Sequence, residues 1–314
     1  MTSSAKQYRA GVQERGNTYP VKPVGRRRFR WAAIKCVIVA QGNLKHLPHT
    51  DSVVVGMKYI ASVSFGKDSL AMLLKLIAEN YPLDAVVFYD TGMEFQAIYD
   101  NRDKAAALLQ NQGITFAELH PSKPFLWDML ERPVNTRDGS TKTGRGWCGG
   151  LCRWGTAEKR EALNRYYKTF GGETIVEYVG IAADERQRIH RDRGKSVKLY
   201  PLIEWNMTEA ECLQYCYDNG WHWQENGADL YDLLDRVSCW CCRNKNKREL
   251  YNIWHQMPDY WQRLKELQRK IAQPFKDYGS IFDLEKEFAA GWQPGYKTIK
   301  QDHRQMEMRW KYDL

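Results

Sequence analysis

Tyr59-Ile60-Ala61-Ser62-Val63-Ser64-Phe65-Gly66-Lys67-Asp68-Ser69, followed at once by Leu70-Ala71-Met72-Leu73-Leu74-Lys75-Leu76-Ile77-Ala78, changes its hydrophobic period halfway along. The first part alternates β-branched and aromatic residues, and the second places apolar residues at helical spacing. The spacing therefore predicts a strand, a glycine-containing turn and a helix. Such a turn suits a phosphate. The helix start presents free N–H groups and the positive end of a dipole, Gly66 lets the backbone approach an anion, and Lys67, Ser64 and Ser69 add a charge and hydroxyl donors. No G-x-x-x-x-G-K-S/T occurs, which excludes the common P-loop, and this turn carries no G-x-G-x-x-G.

Outward from the turn, Leu83 to Asp90 reads as a second buried strand, Ala97 to Gln112 as a helix stopped by Gly113, and Ile114 to Leu119 as a third strand. A helix from Thr156 to Tyr167 and a strand from Thr174 to Ile181 follow. Alternation of this kind predicts an α/β fold with a doubly wound parallel sheet. Ligands of such sheets lie beyond the carboxyl ends of the strands, which puts Ser64–Ser69 and Asp90–Glu94 on one rim. Asp90 could instead only cap the next helix.

Residues 121–147 are rich in Pro, Gly, Lys, Arg and Thr, and read as a mobile lid or substrate loop in which Arg137, Lys142 and Arg145 meet an anion; a solvated surface loop is the alternative. Thr208 and Glu211 form a capping-box pattern. Cys212 and Cys216, flanked by Leu213 and Tyr217, complete an apolar helix face and read as core. Glu249 to Ile271 is amphipathic and interrupted at Pro258, with Trp254, Trp261 and Leu264 on the expected buried face.

Trp147-Cys148-Gly149-Gly150-Leu151-Cys152-Arg153 and Cys239-Trp240-Cys241-Cys242-Arg243 offer a C-x3-C and a C-x2-C. Four thiolates from two loops suit a tetrahedral site for an iron–sulfur cluster or Zn²⁺, and soft ligands of this kind do not select Mg²⁺ or Ca²⁺. Arg153, Arg243, Lys245 and Lys247 would offset their charge. Unliganded cysteines packed as small hydrophobes are the plainer alternative, and Cys241 is a spare thiol.

The chain's 314 residues carry a net charge of +9, and all of that excess sits in the first fifty residues, whose only acid is Glu14. A nucleic-acid-binding arm and an Arg-rich targeting presequence both fit Arg26-Arg27-Arg28-Phe29-Arg30-Trp31, as does an arm without a role ahead of a start near Met57. No apolar run is long enough to span a bilayer, so no membrane partner is expected. Clustered C-x-x-C-like pairs suit the reducing cytoplasm better than a disulfide framework. The reading divides the chain into a basic arm (1–56), a nucleotide-binding α/β domain (57–237) and a cysteine-containing, mainly helical C-terminal region (238–314).

Ser64-Phe65-Gly66-Lys67-Asp68-Ser69 resembles the S-x-G-K-D-S loop of the PP-loop superfamily, the adenine nucleotide alpha-hydrolase-like, Rossmann-like proteins, in the form used by the phosphoadenosine phosphosulfate (PAPS) reductase family. Asp90-Thr91-Gly92-Met93-Glu94-Phe95 is similar to that family's D-T-G-x-E-F segment beside the nucleotide. Gly180 to Arg188 resembles G-I-R-x-D-E-S-x-x-R, with Gly180, Glu185 and Arg186 or Arg188 on matching positions, but Ala182 and Gln187 depart from it. Leu199 to Trp205 is similar to the Y-P-L-x-x-W segment. The resemblance implies that Ser64, Phe65, Gly66, Lys67, Ser69, Thr91, Gly92, Glu94, Gly180, Glu185, Arg186 and Arg188 bind an adenine nucleotide, either ATP or PAPS/adenylyl sulfate. Lys67, Asp68 and Asp90 would carry the chemistry, with Asp68 or Asp90 positioning Mg²⁺ or its water. It also favours Cys148, Cys152, Cys239 and Cys242 as ligands of a 4Fe-4S cluster over Zn²⁺, although Arg243 stands where the family has proline.

Three functions follow from the resemblance. An ATP-using enzyme would adenylate its substrate and transfer sulfur, with a sulfur or electron donor protein and a nucleic acid as partners. A sulfonucleotide reductase would need a cysteine near the C-terminus, and none follows Cys242 here. The third is a non-enzymatic nucleotide or cluster sensor within a complex.

Overall fold

The computed structural model describes residues 56–148, 152, 157–189 and 196–295. The basic arm up to residue 55 and the segment containing Tyr296, Trp310 and Tyr312 lie outside them.

The predicted strand–turn–helix forms β1 (Met57–Val63) and α1 (Lys67–Ala78). Then come β2 (Ala85–Tyr89), α2 (Gln96–Asn111) and β3 (Thr115–Leu119), each within two residues of its expected bounds. A parallel sheet needs both faces covered, and every residue of β2 is buried accordingly.

Residues 121–147 are more ordered than their composition suggests. They hold α3 (Phe125–Leu130) and a hairpin of β4 (Pro133–Asn135) and β5 (Thr141–Thr143). Asp138 closes the hairpin by accepting from Ser140 N at 3.0 Å, which replaces an open loop by a side-chain-fixed turn. Arg145, expected to face an anion, pairs with Asp128 at 3.3 Å, while Arg137 and Lys142 are exposed.

After α4 (Lys159–Tyr167), β6 (Thr174–Val179) and β7 (Val197–Leu199) complete one five-stranded sheet in the order β3-β2-β1-β6-β7. All its pairings are parallel, with Ile60 opposite Ala85 and Tyr59 opposite Val176. The chain runs outward from β1 to β3 in one direction and from β6 to β7 in the other. The order reverses between β1 and β6, and the carboxyl side of that reversal is where a ligand crevice opens.

Ala61, Val63, Phe88 and Tyr178 face α1 and α2, whereas Ile60, Val87 and Ile175 face Leu163, Tyr166 and Tyr167 of α4. The sheet is thus wound on both sides. Each fully buried Leu, Val or Phe contributes roughly 1.5–3 kcal/mol.

The helices α5 (Pro201–Glu204) and α6 (Glu209–Asp218) follow, and α6 starts with the expected capping box of Thr208 and Glu211. Cys212 and Cys216 are buried, as their helix face implies. A small hairpin of β8 (Gln224–Glu225) and β9 (Ala228–Asp229) leads into α7 (Leu230–Leu233).

The C-terminal helices are α8 (Lys247–Gln256), α9 (Pro258–Lys270) and α10 (Ile281–Ala289). Pro258 breaks the amphipathic stretch by opening α9, where its missing N–H costs nothing. Leu250, Ile253, Trp261, Leu264 and Phe288 are buried, and they belong to the same apolar core as Ala61 and Phe88. Among the described residues no helix is long and apolar enough to cross a membrane.

Candidate functional site

The turn after β1 is held from below. Phe65 adopts φ 57°, a left-handed conformation uncommon for a bulky side chain. Its ring is fully buried, 5.2 Å from Phe88 and 6.1 Å from Phe116, and its carbonyl accepts from Trp223 Nε1 at 2.8 Å. Ser64 N donates to Ser69 Oγ, and the two hydroxyls lie 3.1 Å apart. Gly66 stands before α1 without a side-chain cap. A helix start of this kind keeps N–H groups free for an anion.

Lys67 is buried, and its ammonium lies 3.1 Å from Asp68 and 3.3 Å from Glu209. Its backbone N–H donates to Tyr231 Oη at 2.7 Å, and its Nζ stands 5.7 Å from the Tyr231 ring centroid. Burial raises the Asp68 carboxyl above its ordinary range; Lys67 opposes the shift, and Glu209 and Glu185 add to it. Asp68, Glu185 and Glu209 each place a carboxylate oxygen within 4.8 Å of the others.

The segment after β2 lies on the same rim. Asp90 accepts from Gly92 N and from Tyr99 Oη, both at 2.8 Å, so it fixes its own loop. It does not cap α2. The N–H groups of Gln96 and Ala97 donate instead to Tyr260 Oη at 3.0 Å and Glu225 Oε1 at 2.8 Å. Gly92 is exposed at φ 74°. Thr91 Oγ1 donates to Glu94 Oε1 at 2.9 Å, and burial pushes the Glu94 carboxyl up. Asp90 also groups with Glu118 and His120 within 4.8 Å.

Gly180 brings the end of β6 against the loop. A Cβ at this position would lie 2.8 Å from Ser69 Cα and 3.0 Å from Ser69 N. Gly180→Ala must therefore displace the start of α1, at a cost of about 1–3 kcal/mol. A denaturant titration of the variant checks this, and an unchanged midpoint would mean that the contact is not tight. Glu185 is buried and paired with Arg188 and Arg236, while Arg186 is exposed. Of the two arginines expected to meet an anion, Arg188 is already engaged.

Both cysteine loops abut the Tyr89–Phe95 segment. Burial raises the Tyr89 hydroxyl and Cys152 adds to that shift, and Cys239 Sγ donates to Glu94 Oε1 at 3.4 Å and lies 3.5 Å from Thr91 Oγ1. Trp240 N donates to Met93 O at 3.0 Å. The loops meet again at Phe275, whose ring stands 4.7 Å from Trp147 and whose carbonyl accepts from Arg243 Nε at 2.6 Å. Cys242 N donates to Cys239 O, closing the C-x2-C turn, and Cys241 is buried. Burial raises the Cys239 and Cys241 thiols. Two buried donors beside these loops, Tyr89 Oη and Trp147 Nε1, find no hydrogen-bond partner among the described residues.

Lys67, Asp68 and Ser69 are thus joined by Glu185 and Gly180 at the loop, and Thr91 and Glu94 join Cys239. Tyr231, Trp223 and Glu209 were missed by sequence reasoning. They lie about 140–165 positions from the loop they touch, and no local pattern points at them.

An uncharacterized protein of Methanocaldococcus jannaschii is 24% identical over 229 residues, covering 68% of this chain and 42% of that protein. The chain therefore spans less than half the length of that relative. A crystal structure of Candida glabrata FMN adenylyltransferase in complex with ATP is similar at a TM-score of 0.28 and 14% identity, covering 52% of this chain and 46% of that one. Residues 58–232, more than half of the chain, match the phosphoadenosine phosphosulfate reductase domain, and they run from β1 through the carboxylate-ringed loop to α7. The chain belongs to the phosphoadenosine phosphosulfate reductase domain family.

Proposed function

We propose that this chain is an enzyme that binds ATP at Ser64–Ser69 and uses it for adenylation and sulfur transfer beside a 4Fe-4S cluster. The observation that carries the choice of ATP is the carboxylate ring around Lys67. In the free protein Asp68 and Glu209 together outweigh the lysine charge, while Glu185 beside them is paired with Arg188 and Arg236. A bare polyphosphate would meet the Asp68 and Glu209 carboxylates there. Mg²⁺ removes that repulsion, because hard carboxylate oxygens together with substrate phosphates are the donors it takes. The ring thus favours a metal-chelated triphosphate over a metal-free sulfonucleotide.

Each group then has a task. Lys67 exchanges its carboxylate partners for phosphate oxygens, and Ser64, Ser69 and the start of α1 donate to the same oxygens. Asp68, Glu209 and Glu185 hold Mg²⁺. Asp90 keeps Thr91 and Gly92 in place against the nucleotide, and the exposed Arg186 supplies a cation. An acceptor oxygen attacks the α-phosphorus and pyrophosphate leaves, with positioning and preorganised donors giving most of the acceleration. Nucleic acid gathered by the basic arm is the acceptor class, a donor protein supplies sulfur or electrons, and the cytoplasm is the compartment.

The thiols fit a cluster. The unpartnered donors Tyr89 Oη and Trp147 Nε1 suit an anionic, sulfur-rich group between the loops. Bound on Cys148, Cys152, Cys239 and Cys242, the cluster supplies a place to hold sulfur or deliver an electron. Cys148→Ser should lose at least half of the bound iron after anaerobic reconstitution, and full iron retention would remove this ligand from the set.

The test of the reaction is pyrophosphate release from ATP with and without Mg²⁺, set beside sulfite release from PAPS and adenylyl sulfate. Mg²⁺-dependent pyrophosphate release supports the proposal. Sulfite formation without it would assign the chain to sulfonucleotide reduction.

A further inference from the structure

Four cations neighbour the C-x2-C turn, at positions 243, 245, 247 and 276, and three of them are engaged elsewhere. Arg243 binds Asp277 and the Phe275 carbonyl. Lys247 pairs with Glu287 and lies 4.7 Å from the Trp292 ring centroid. Lys276 donates to the carbonyls of Arg243 and Lys245, although it also feels Cys242.

Lys245 differs from all three. It is 3% exposed, and its Nζ donates to Ser238 Oγ at 3.2 Å and stands 5.2 Å from the Phe95 ring centroid. Its backbone N–H donates to the Cys242 carbonyl at 3.2 Å, which seats it directly on the C-x2-C turn. Burial lowers its pKa, and Glu249, then the thiols of Cys242, Cys239 and Cys241, oppose that shift. Glu249 is occupied: its carboxylate accepts from Asp235 N at 3.1 Å and from Asn246 N at 2.7 Å. Among the described residues no carboxylate forms an ion pair with Lys245. A buried cation without an ion-pair partner is costly, and Lys245 bonds Ser238, the neighbour of Cys239, and the carbonyl of Cys242.

We propose that Lys245 is the internal counter-ion of the thiolate-held group, retaining it and setting its reduction potential. The proposal rests on the cluster reading above. Net negative charge accumulates when four thiolates bind iron and sulfide, and accumulates further on reduction. A fixed ammonium inside the protein favours both steps, because its field acts through a low-dielectric interior. Lys245 is a positioning residue, since it acts through the ligands.

The test uses the full chain, reconstituted anaerobically with iron and sulfide, as wild type, Lys245→Met, Lys245→Arg and Lys247→Met. Iron retained against a chelator, the midpoint potential and the melting temperature with and without the cluster are read for each. Lys245→Met is expected to lose iron about tenfold faster, and to favour the reduced state about tenfold less, which is a midpoint about 59 mV more negative. Its melting temperature should rise in the iron-free protein, where an unpaired cation has been removed, and fall in the loaded one. A merely structural lysine would lower both. Lys245→Arg and Lys247→Met should stay near wild type in potential, and Lys245→Arg keeps the test available if Lys245→Met does not fold. A loaded Lys245→Met with wild-type retention and potential, or a Lys245→Arg with the potential expected of Lys245→Met, overturns the counter-ion role alone. A wild type that binds no iron and sulfide overturns the cluster reading and this proposal with it.

Discussion

Lys67→Ala is expected to lower nucleotide turnover about 10²–10³-fold while leaving the far-ultraviolet circular dichroism unchanged, the usual scale for losing one preorganised donor at a developing charge. The side chain is buried, and its polar partners are Asp68, Glu209 and the Tyr231 ring. Without the ammonium, two carboxylates face each other at the mouth of the loop and repel the incoming phosphate as well. The loss should therefore be larger in binding at low Mg²⁺ and partly recovered at high Mg²⁺, as isothermal titration with ATP would read. Turnover and affinity equal to wild type would remove the loop from the chemistry.

Trp223→Ala is expected to cost about 3–5 kcal/mol, measured as a shift in the urea midpoint, because a fully buried indole leaves a cavity that its neighbours cannot fill. Its ring stands 4.8 Å from Tyr231, and its Nε1 holds the Phe65 carbonyl. Trp223→Phe separates the two roles. It keeps most of the ring and leaves the Phe65 carbonyl without its buried donor, for about 1–3 kcal/mol. A change below about 0.5 kcal/mol in Trp223→Ala would show that the loop is supported from elsewhere.

How much of this could be read beforehand depended on whether the signal was local. The turn at Ser64–Ser69 announces itself because a two-residue period becomes a helical one on either side of Gly66. The capping box at Thr208 and Glu211 and the core face of Cys212 and Cys216 are equally local, and both stand as expected. The partners of Lys67 are of another kind. Tyr231 and Glu209 are ordinary surface-type residues in sequence, and only the packing of α6 and α7 beside α1 turns them inward. The stretch 121–147 misled for the opposite reason. Its polarity suggested an open loop, yet Asp138 and Ser140 supply the side-chain bonds that close a hairpin whose strands carry few apolar residues.

Phe65 fixes how a ligand would meet this loop. A residue held at φ 57° by a sealed aromatic pocket carries its strain before any ligand arrives. The backbone around it has little freedom left to lose, so the ordering entropy of binding is small. Variants that alter contacts along Ser64–Ser69 should then differ in how long the nucleotide stays rather than in how fast it arrives.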